Sequence, residues 1–176
     1  MDINIEPYIM RRITLEEEEE SLQRLCESCS DYYEIVEGRA PQPDAAHEII
    51  TELPPDKDHK DKVVLGIYNQ SSSLVGVMDL ILDYPSKEIW MIGLLMIDPS
   101  ERGKGLGKRV HEGLAKTASD LGAKTLRIGV AKDNHNAQHF WSALQYTTIK
   151  EVEMKLGVKD STVYVMHYDL HNDTTI

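Results

Sequence analysis

The segment Ile97-Asp-Pro-Ser-Glu-Arg-Gly-Lys-Gly-Leu-Gly-Lys-Arg109 constrains the fold of this chain more than any other. An apolar run, Ile89 to Ile97, stops at Pro99, and Gly103, Gly105 and Gly107 then alternate with other residues. From Gly105 the period turns helical: Leu106, Val110, Leu114, Ala118 and Leu121 share one face, and Gly122 is a natural stop. The order is therefore strand, glycine turn, helix. Glycines let the backbone approach a ligand closely and adopt positive φ. The first N–H groups of a helix have no internal partner, so they face an anion readily. A merely solvated helix start gains nothing from three glycines, each costing about 1 kcal/mol inside a helix.

Arg102, Lys104, Lys108 and Arg109 gather four cations here, in a chain whose formal net charge is −11. Two phosphate loops fit poorly. A nucleotide-hydrolase loop needs G-x-x-x-x-G-K followed by Ser or Thr. Gly103 to Gly107 is one residue short of that, and Arg109 follows Lys108. A dinucleotide turn needs G-x-G-x-x-G after a parallel strand. Here the spacing is G-x-G-x-G, and the preceding strand reads as antiparallel.

The flanking pattern is mixed α/β. Tyr8 to Ile13 reads as a first strand. Thr14 with Glu17 predicts a capping box, and Leu15, Leu22, Leu25 and Cys26 give the helix behind it an apolar stripe. Glu16 to Glu20 reads as the solvated start of that helix. Gly38 to Pro43 breaks the chain, and Asp44 starts a second, short helix through Ile50. Val63 to Tyr68, Leu74 to Leu82 and Ile89 to Ile97 read as three strands joined by hairpin-length turns. After the glycine helix come a strand over Leu126 to Val130, a helix from about Asn134 to Leu144, and a final pair of strands. These are an alternating stretch through Val152, Met154 and Leu156, then Thr162 to Leu170. The whole predicts one domain over residues 1–170, a mixed, largely antiparallel sheet with helices on both faces, and a polar tail over 171–176.

The acidic balance argues against a nucleic-acid partner and favours a cationic one through steering, besides serving solubility. No apolar run reaches the roughly 20 residues of a membrane span, and the N-terminus does not read as a secretory signal. The expectation is a cytoplasmic protein without a membrane partner. Cys26 and Cys29 form C-x-x-C late in a helical pattern, where the dipole disfavours a thiolate. With no second cysteine pair for zinc, they read as structural. His135 and His139 have i, i+4 spacing but no third ligand, so no metal is expected. His111 reads as a surface histidine beside the apolar stripe.

Arg102, Gly105 and Gly107 match the R/Q-x-x-G-x-G/A loop of the GNAT superfamily of N-acetyltransferases. Leu94-Leu-Met-Ile-Asp-Pro99 resembles the family strand that runs into that loop. Asn134, Ala137, Phe140, Trp141 and the Gln145-Tyr146 pair fall where the family has its N-x-x-A-x-x-(aliphatic)-Y-x-x-x-G-(aromatic) segment. The resemblance spans roughly residues 62–170, and the first 60 agree in coarse layout.

What the resemblance implies is an acetyl-CoA-binding core over 62–170, with residues 1–60 supplying the acceptor side. Backbone groups of Leu95, Met96 and Ile97 would pair with the pantetheine arm as an added strand does. A bulge would open that strand into a V against the strand after the glycine helix. The N–H of Ile97 or its neighbour would polarise the thioester. N–H groups from Gly103 through Lys104, Gly105, Leu106 and Gly107 to Lys108 would hold the pyrophosphate, and Asn134 would contact the pantetheine. An amine, small or peptidic, would then attack directly.

Three departures stand out. Trp141 replaces the tyrosine that often protonates the leaving thiolate, and an indole N–H is too weak an acid to do so. Met91 stands in the strand where some members carry a glutamate base, and Gln145 replaces a glycine. Proximity, with water carrying the protons, is then the expected chemistry. Asp79, in an otherwise apolar strand, is a candidate base or else a paired carboxylate. Tyr32 and Tyr33 are candidates to line the acceptor site. A catalytically weak acyl-CoA-binding module or sensor is the alternative these departures leave open. The last two strands could also pair across a homodimer.

Overall fold

The computed structural model describes residues 1–173, apart from the side chains of Leu15, Asn172 and Asp173. Of the expected helix stripe, Leu15 thus lies outside the described residues, as do residues 174–176 of the tail. Among the described residues the α-helices and strands are β1 Asp2–Ile5, β2 Tyr8–Arg12, α1 Leu15–Ser28, α2 Ser30–Glu37, α3 Ala45–Thr51, β3 Lys62–Tyr68, β4 Leu74–Ile81, β5 Ile89–Ile97, α4 Leu106–Asp120, β6 Thr125–Ala131, α5 His135–Ala143, β7 Thr147–Leu156 and β8 Lys159–Asp169. They form one eight-stranded sheet in the order β1-β2-β3-β4-β5-β6-β8-β7. Every pairing is antiparallel except β5 with β6, which α4 connects as a crossover. Among the described residues no helix is long and apolar enough to cross a membrane.

Each sheet face buries its own core. On one face Leu106, Val110, Leu114 and Ala118 of α4 meet Leu65, Ile67, Met78 and Leu80 of the central strands. On the other, Leu22, Leu25 and Cys26 of α1 and Tyr33 of α2 meet Val64, Val77 and Met96. Fully burying one such side chain contributes about 1.5–3 kcal/mol, so the two faces hold the frame that carries the site.

Several expectations are corrected. A strand, Asp2–Ile5, precedes the expected first one, and its Ile3 and Ile5 are buried. It lies so close to α4 that a Cβ on Gly113 would sit 2.6 Å from Ile5 Cγ2. Three helices, not two, precede β3, because α1 ends at Cys29 and α2 starts immediately. No glycine or proline marks that break, so helical periodicity runs through it unmarked. Thr14, expected to form a capping box with Glu17, makes no side-chain cap, and the neighbouring Glu18 pairs with Arg11 at 3.1 Å and with the Tyr68 hydroxyl. Leu121 is 62% exposed, because it sits past the last turn of α4. His111 is 4% exposed rather than on the surface. The rings of Tyr168 (4.9 Å), Tyr146 (5.5 Å) and Trp141 (6.4 Å) enclose it.

Candidate active site

β5 builds the site by changing its pairing halfway. Ile89 to Ile92 run parallel with Thr125 to Ile128 of β6, and there the ladder ends. On the other side the register with β4 slips between Asp79 and Leu80, leaving Gly93 as an extra residue. The slip flips the alternation of side chains. Trp90 and Ile92 face the α4 core, whereas Leu94 and Met96 face the core under α1–α3. A bulge bends the strand that carries it. Beyond Gly93, β5 and β6 diverge and leave a cleft, the V expected from sequence.

The cleft exposes backbone. Asp98 N donates to Val75 O at 2.8 Å, and the register places Met96 opposite Val77. Antiparallel alternation then sends the Met96 N–H and C=O into β4, and those of Leu95 and Ile97 towards the cleft. Leu95 and Ile97 can therefore pair with an extended ligand; Met96, expected to do so as well, cannot. The Ile97 carbonyl already accepts from Arg102 Nε at 2.8 Å and from Cys29 Sγ at 3.5 Å.

The glycine loop lies at the end of the same strand. Asp98 caps a short 3₁₀ turn, Pro99–Glu101, through Ser100 N. Gly103 and Gly105 follow with φ of +74° and +78°, and a Cβ on either would meet nothing within 4 Å. Gly105 is the N-cap of α4, so the first N–H groups of this 15-residue helix have no side-chain cap. No acidic residue stands in its first turn. Gly107 answers a different need: a Cβ there would sit 2.9 Å from Phe140 Cε2, so glycine lets α4 and α5 close together. Gly103, Lys104, Gly105 and Lys108 are exposed at the loop, whereas the Leu106 side chain is buried in the core.

The four cations have different fates. Arg102 forms a two-pronged pair with Asp31 of α2, at 2.5 and 3.1 Å, which holds the Asp31 carboxyl below the usual carboxylate range. Arg109 turns to Glu6 O at 2.8 Å. Lys104 and Lys108 make only loose contacts, 3.5 Å to Glu101 and 3.7 Å to Glu112, beside the uncapped start of α4.

A cavity of about 250 Å³ runs from the loop into the cleft. Leu95, Met96, Ile97, Arg102 and Gly107 line it from β5 and the loop. Asn134, Ala137, Phe140 and Trp141 line it from α5 and the residue before it. Asn134 caps α5 through its side-chain carbonyl, which accepts from Ala137 N at 3.1 Å. The side-chain amide nitrogen has two donors of its own. Trp141 is only 4% exposed and packs edge-on against Phe140 and Tyr146, so it is mainly a core residue.

Tyr32 is half-buried and borders this cavity and two further ones. One of these, about 150 Å³, is acidic: Asp79, Glu37, Glu48 and Glu52 line it with Tyr33. Burial and the neighbouring carboxylates raise the pKa of Glu48. Asp79 faces Lys62 Nζ at 2.8 Å, and Lys62, 4% exposed, also donates to Glu52 O. Burial nonetheless lifts the Asp79 pKa above the usual carboxylate range, against the pull of Lys62. Its other oxygen lies 2.9 Å from where a Gly93 Cβ would be, directly behind the bulge.

Cys26 and Cys29 are free and buried. Cys29 closes α1 as its C-cap, late in the helix as expected, and is also the N-cap of α2, a place that favours a thiolate. Burial overrides that and pushes its pKa up to about 11. His135 and His139 are exposed, and no metal-binding group of three or more ligands occurs among the described residues. Sequence reasoning missed Asp31, Lys62 and the three glutamates of the acidic cavity. Asp31 is 71 residues from Arg102, and no spacing rule joins them.

Solved structures share this architecture. An acetyltransferase from Thermus thermophilus matches with TM-score 0.72 and 21% identity, over 94% of this chain and 100% of that one. A GCN5-related N-acetyltransferase from Brucella melitensis matches at 0.78 and 12% identity, over 98% and 80%. A spermidine N-acetyltransferase from Vibrio cholerae, in complex with CoA and spermine, matches at 0.71 and 14% identity, over 93% and 96%. No curated protein matches the sequence. The model of the acetyltransferase (GNAT) family matches residues 22–146, from within α1 to just past α5, thus taking in α2 and α3 as well as the loop. The chain therefore belongs to the acetyltransferase (GNAT) family and is an acyltransferase.

Proposed function

We propose that the protein transfers an acetyl group from acetyl-CoA to a primary amine by direct attack. The observation that carries this is the cleft beyond Gly93, continuous with an uncapped helix start. In this reading the N–H groups from Gly103 to Lys108 hold the pyrophosphate, helped by Lys104 and Lys108. The backbone of Leu95 and Ile97 pairs with the pantetheine arm, and the Asn134 amide adds a contact. Polarisation of the thioester falls to the N–H of Ile97 or, two residues deeper in the cleft, of Leu95.

The amine enters from the acidic cavity. Its carboxylates, in a chain of net charge −11, favour a cationic acceptor. The Vibrio cholerae neighbour with bound spermine supports the same choice. Asp79, kept partly protonatable by burial, accepts the ammonium proton directly or through water. The amine nitrogen bonds to the carbonyl carbon, the C–S bond breaks, and the CoA thiolate takes up a proton. Residues 1–60, joined by Asp79, serve the acceptor, and residues 62–170 hold the donor.

The test is release of free CoA thiol from acetyl-CoA against a broad panel of amines, polyamines and peptides. A polyamine or another primary amine should give CoA well above background. If none does while acetyl-CoA still binds, the chain is a binding module and the proposal falls.

A further inference from the structure

We propose that the donor site accepts acyl groups longer than acetyl, chains of about four to six carbons, in an apolar cavity at the apex of the cleft, on the scale of about 30 Å³ per water-sized group. This rests on the CoA-binding reading above. The cavity holds about 230 Å³, of which an acetyl methyl would fill a small part. Met91, Ile128, Gly129, Met154, Leu156 and Val163 wall it, and no charged side chain lines it.

Its position gives the direction of the chain. Ile97 and Met96 line only the cavity beside the glycine loop, Leu95 lines both, and Leu94, Gly93 and Met91 line the apolar one but not the first. Along β5, the second cavity continues the first away from the pyrophosphate slot. It ends near Ile92 and Ile128, where β5 and β6 rejoin. Asn134, Ala137 and Trp141 also border both cavities, so the two adjoin. A pantetheine arm laid on Leu95 and Ile97 therefore points its acyl group into apolar space.

A donor chain fits this space better than the acceptor does. The carboxylates that suit an amine lie in the separate acidic cavity, which meets the apolar one at Tyr32, Gly93 and Leu94. Amine and acyl tail would thus approach the bulge from different sides. Gly129 keeps the floor open: a Cβ there would lie 3.1 Å from Val163 Cγ1 and 4.0 Å from Met91 Cε. Reaction is unchanged in kind: the amine nitrogen bonds to the acyl carbon, the C–S bond breaks, and the proton lost by the amine goes to the CoA sulfur.

Calorimetric titration with CoA, acetyl-CoA, butyryl-CoA and hexanoyl-CoA tests this without knowledge of the acceptor. Affinity should rise about four-fold per added methylene, the equivalent of about 0.8 kcal/mol each. Gly129→Val, which narrows the floor, should reduce the hexanoyl-to-acetyl affinity ratio at least ten-fold. Met154→Trp, on the outermost strand, should do the same from the opposite wall if the first variant fails to fold. Butyryl-CoA binding no tighter than acetyl-CoA, or a hexanoyl advantage that both variants keep, overturns the inference and leaves acetyl-CoA binding standing. Failure of CoA itself to bind overturns the underlying reading as well.

Discussion

Asp79 and Lys62 form an ion pair at 2.8 Å behind the bulge, where the proposed function places the base. Each is desolvated, and breaking such a pair leaves one charge buried without compensation. Because the folded state raises the Asp79 pKa, the folded protein binds a proton more tightly than the unfolded chain does. The contribution of this group to stability is thus greatest below the unfolded carboxyl value of about 3.9, and falls as pH rises through the raised value. Its basic form accumulates over the same interval. The acyl-transfer rate should therefore climb through a limb lying above the ordinary carboxylate range. Asp79→Asn should lower kcat by about 10²–10⁴-fold, the usual worth of a positioned base, and erase that limb. A pH profile of kcat/KM with the limb intact in the variant would assign the proton to water alone.

The glycine loop and α5 carry predictions of their own. Gly105→Glu places a carboxylate at the uncapped start of α4, where the proposed function seats the pyrophosphate. Affinity for CoA should fall by at least about a hundred-fold, roughly 3 kcal/mol, in a titration of the folded variant. Nothing lies within 4 Å of the new Cβ, so the fold should lose only about the 1–2 kcal/mol of a left-handed side chain. Gln145, just past α5, has φ of +69° at the position where glycine is usual. Gln145→Gly should stabilise the protein by about 0.5–1 kcal/mol in a denaturant melt, since glycine adopts that φ without steric cost. The same elements show what the sequence made legible. Strand, glycine turn and helix were readable because backbone chemistry is local: alternation, positive φ and helix periodicity each leave a residue pattern. The division of the cations was not. Arg102 and Lys104 look alike in sequence, and only α2 folding over the loop sets Asp31 against one of them. The acidic cavity was hidden for the same reason, because Glu37, Glu48 and Asp79 come from three separate elements. The missed β1 had a signal, the alternation Asp2-Ile3-Asn4-Ile5, but one too short to stand without its partner β2.

Taken whole, the molecule is a sheet that buries a core on each face, and β5 changes its allegiance from one to the other at Gly93. A ligand bound only by the folded state stabilises it by mass action. Acetyl-CoA at a hundred times its Kd should add about 2.7 kcal/mol, a rise in Tm of roughly 5–11 °C for a chain of this size. A melt unmoved at that concentration would refute the donor site. Gly93 has one more consequence at this scale. It is an insertion in the arithmetic of the strand, and its effect is to let one stretch of chain count odd in one half and even in the other. Substituting it crowds a carboxylate, but removing it would resynchronise the count. Leu94 and Met96 would then turn towards the α4 side and Leu95 and Ile97 away from it, exchanging layers as a set. The opening in the sheet is thus recorded in the number of residues in β5, not in their identity, and a deletion could zip it shut while every neighbouring side chain stayed the same.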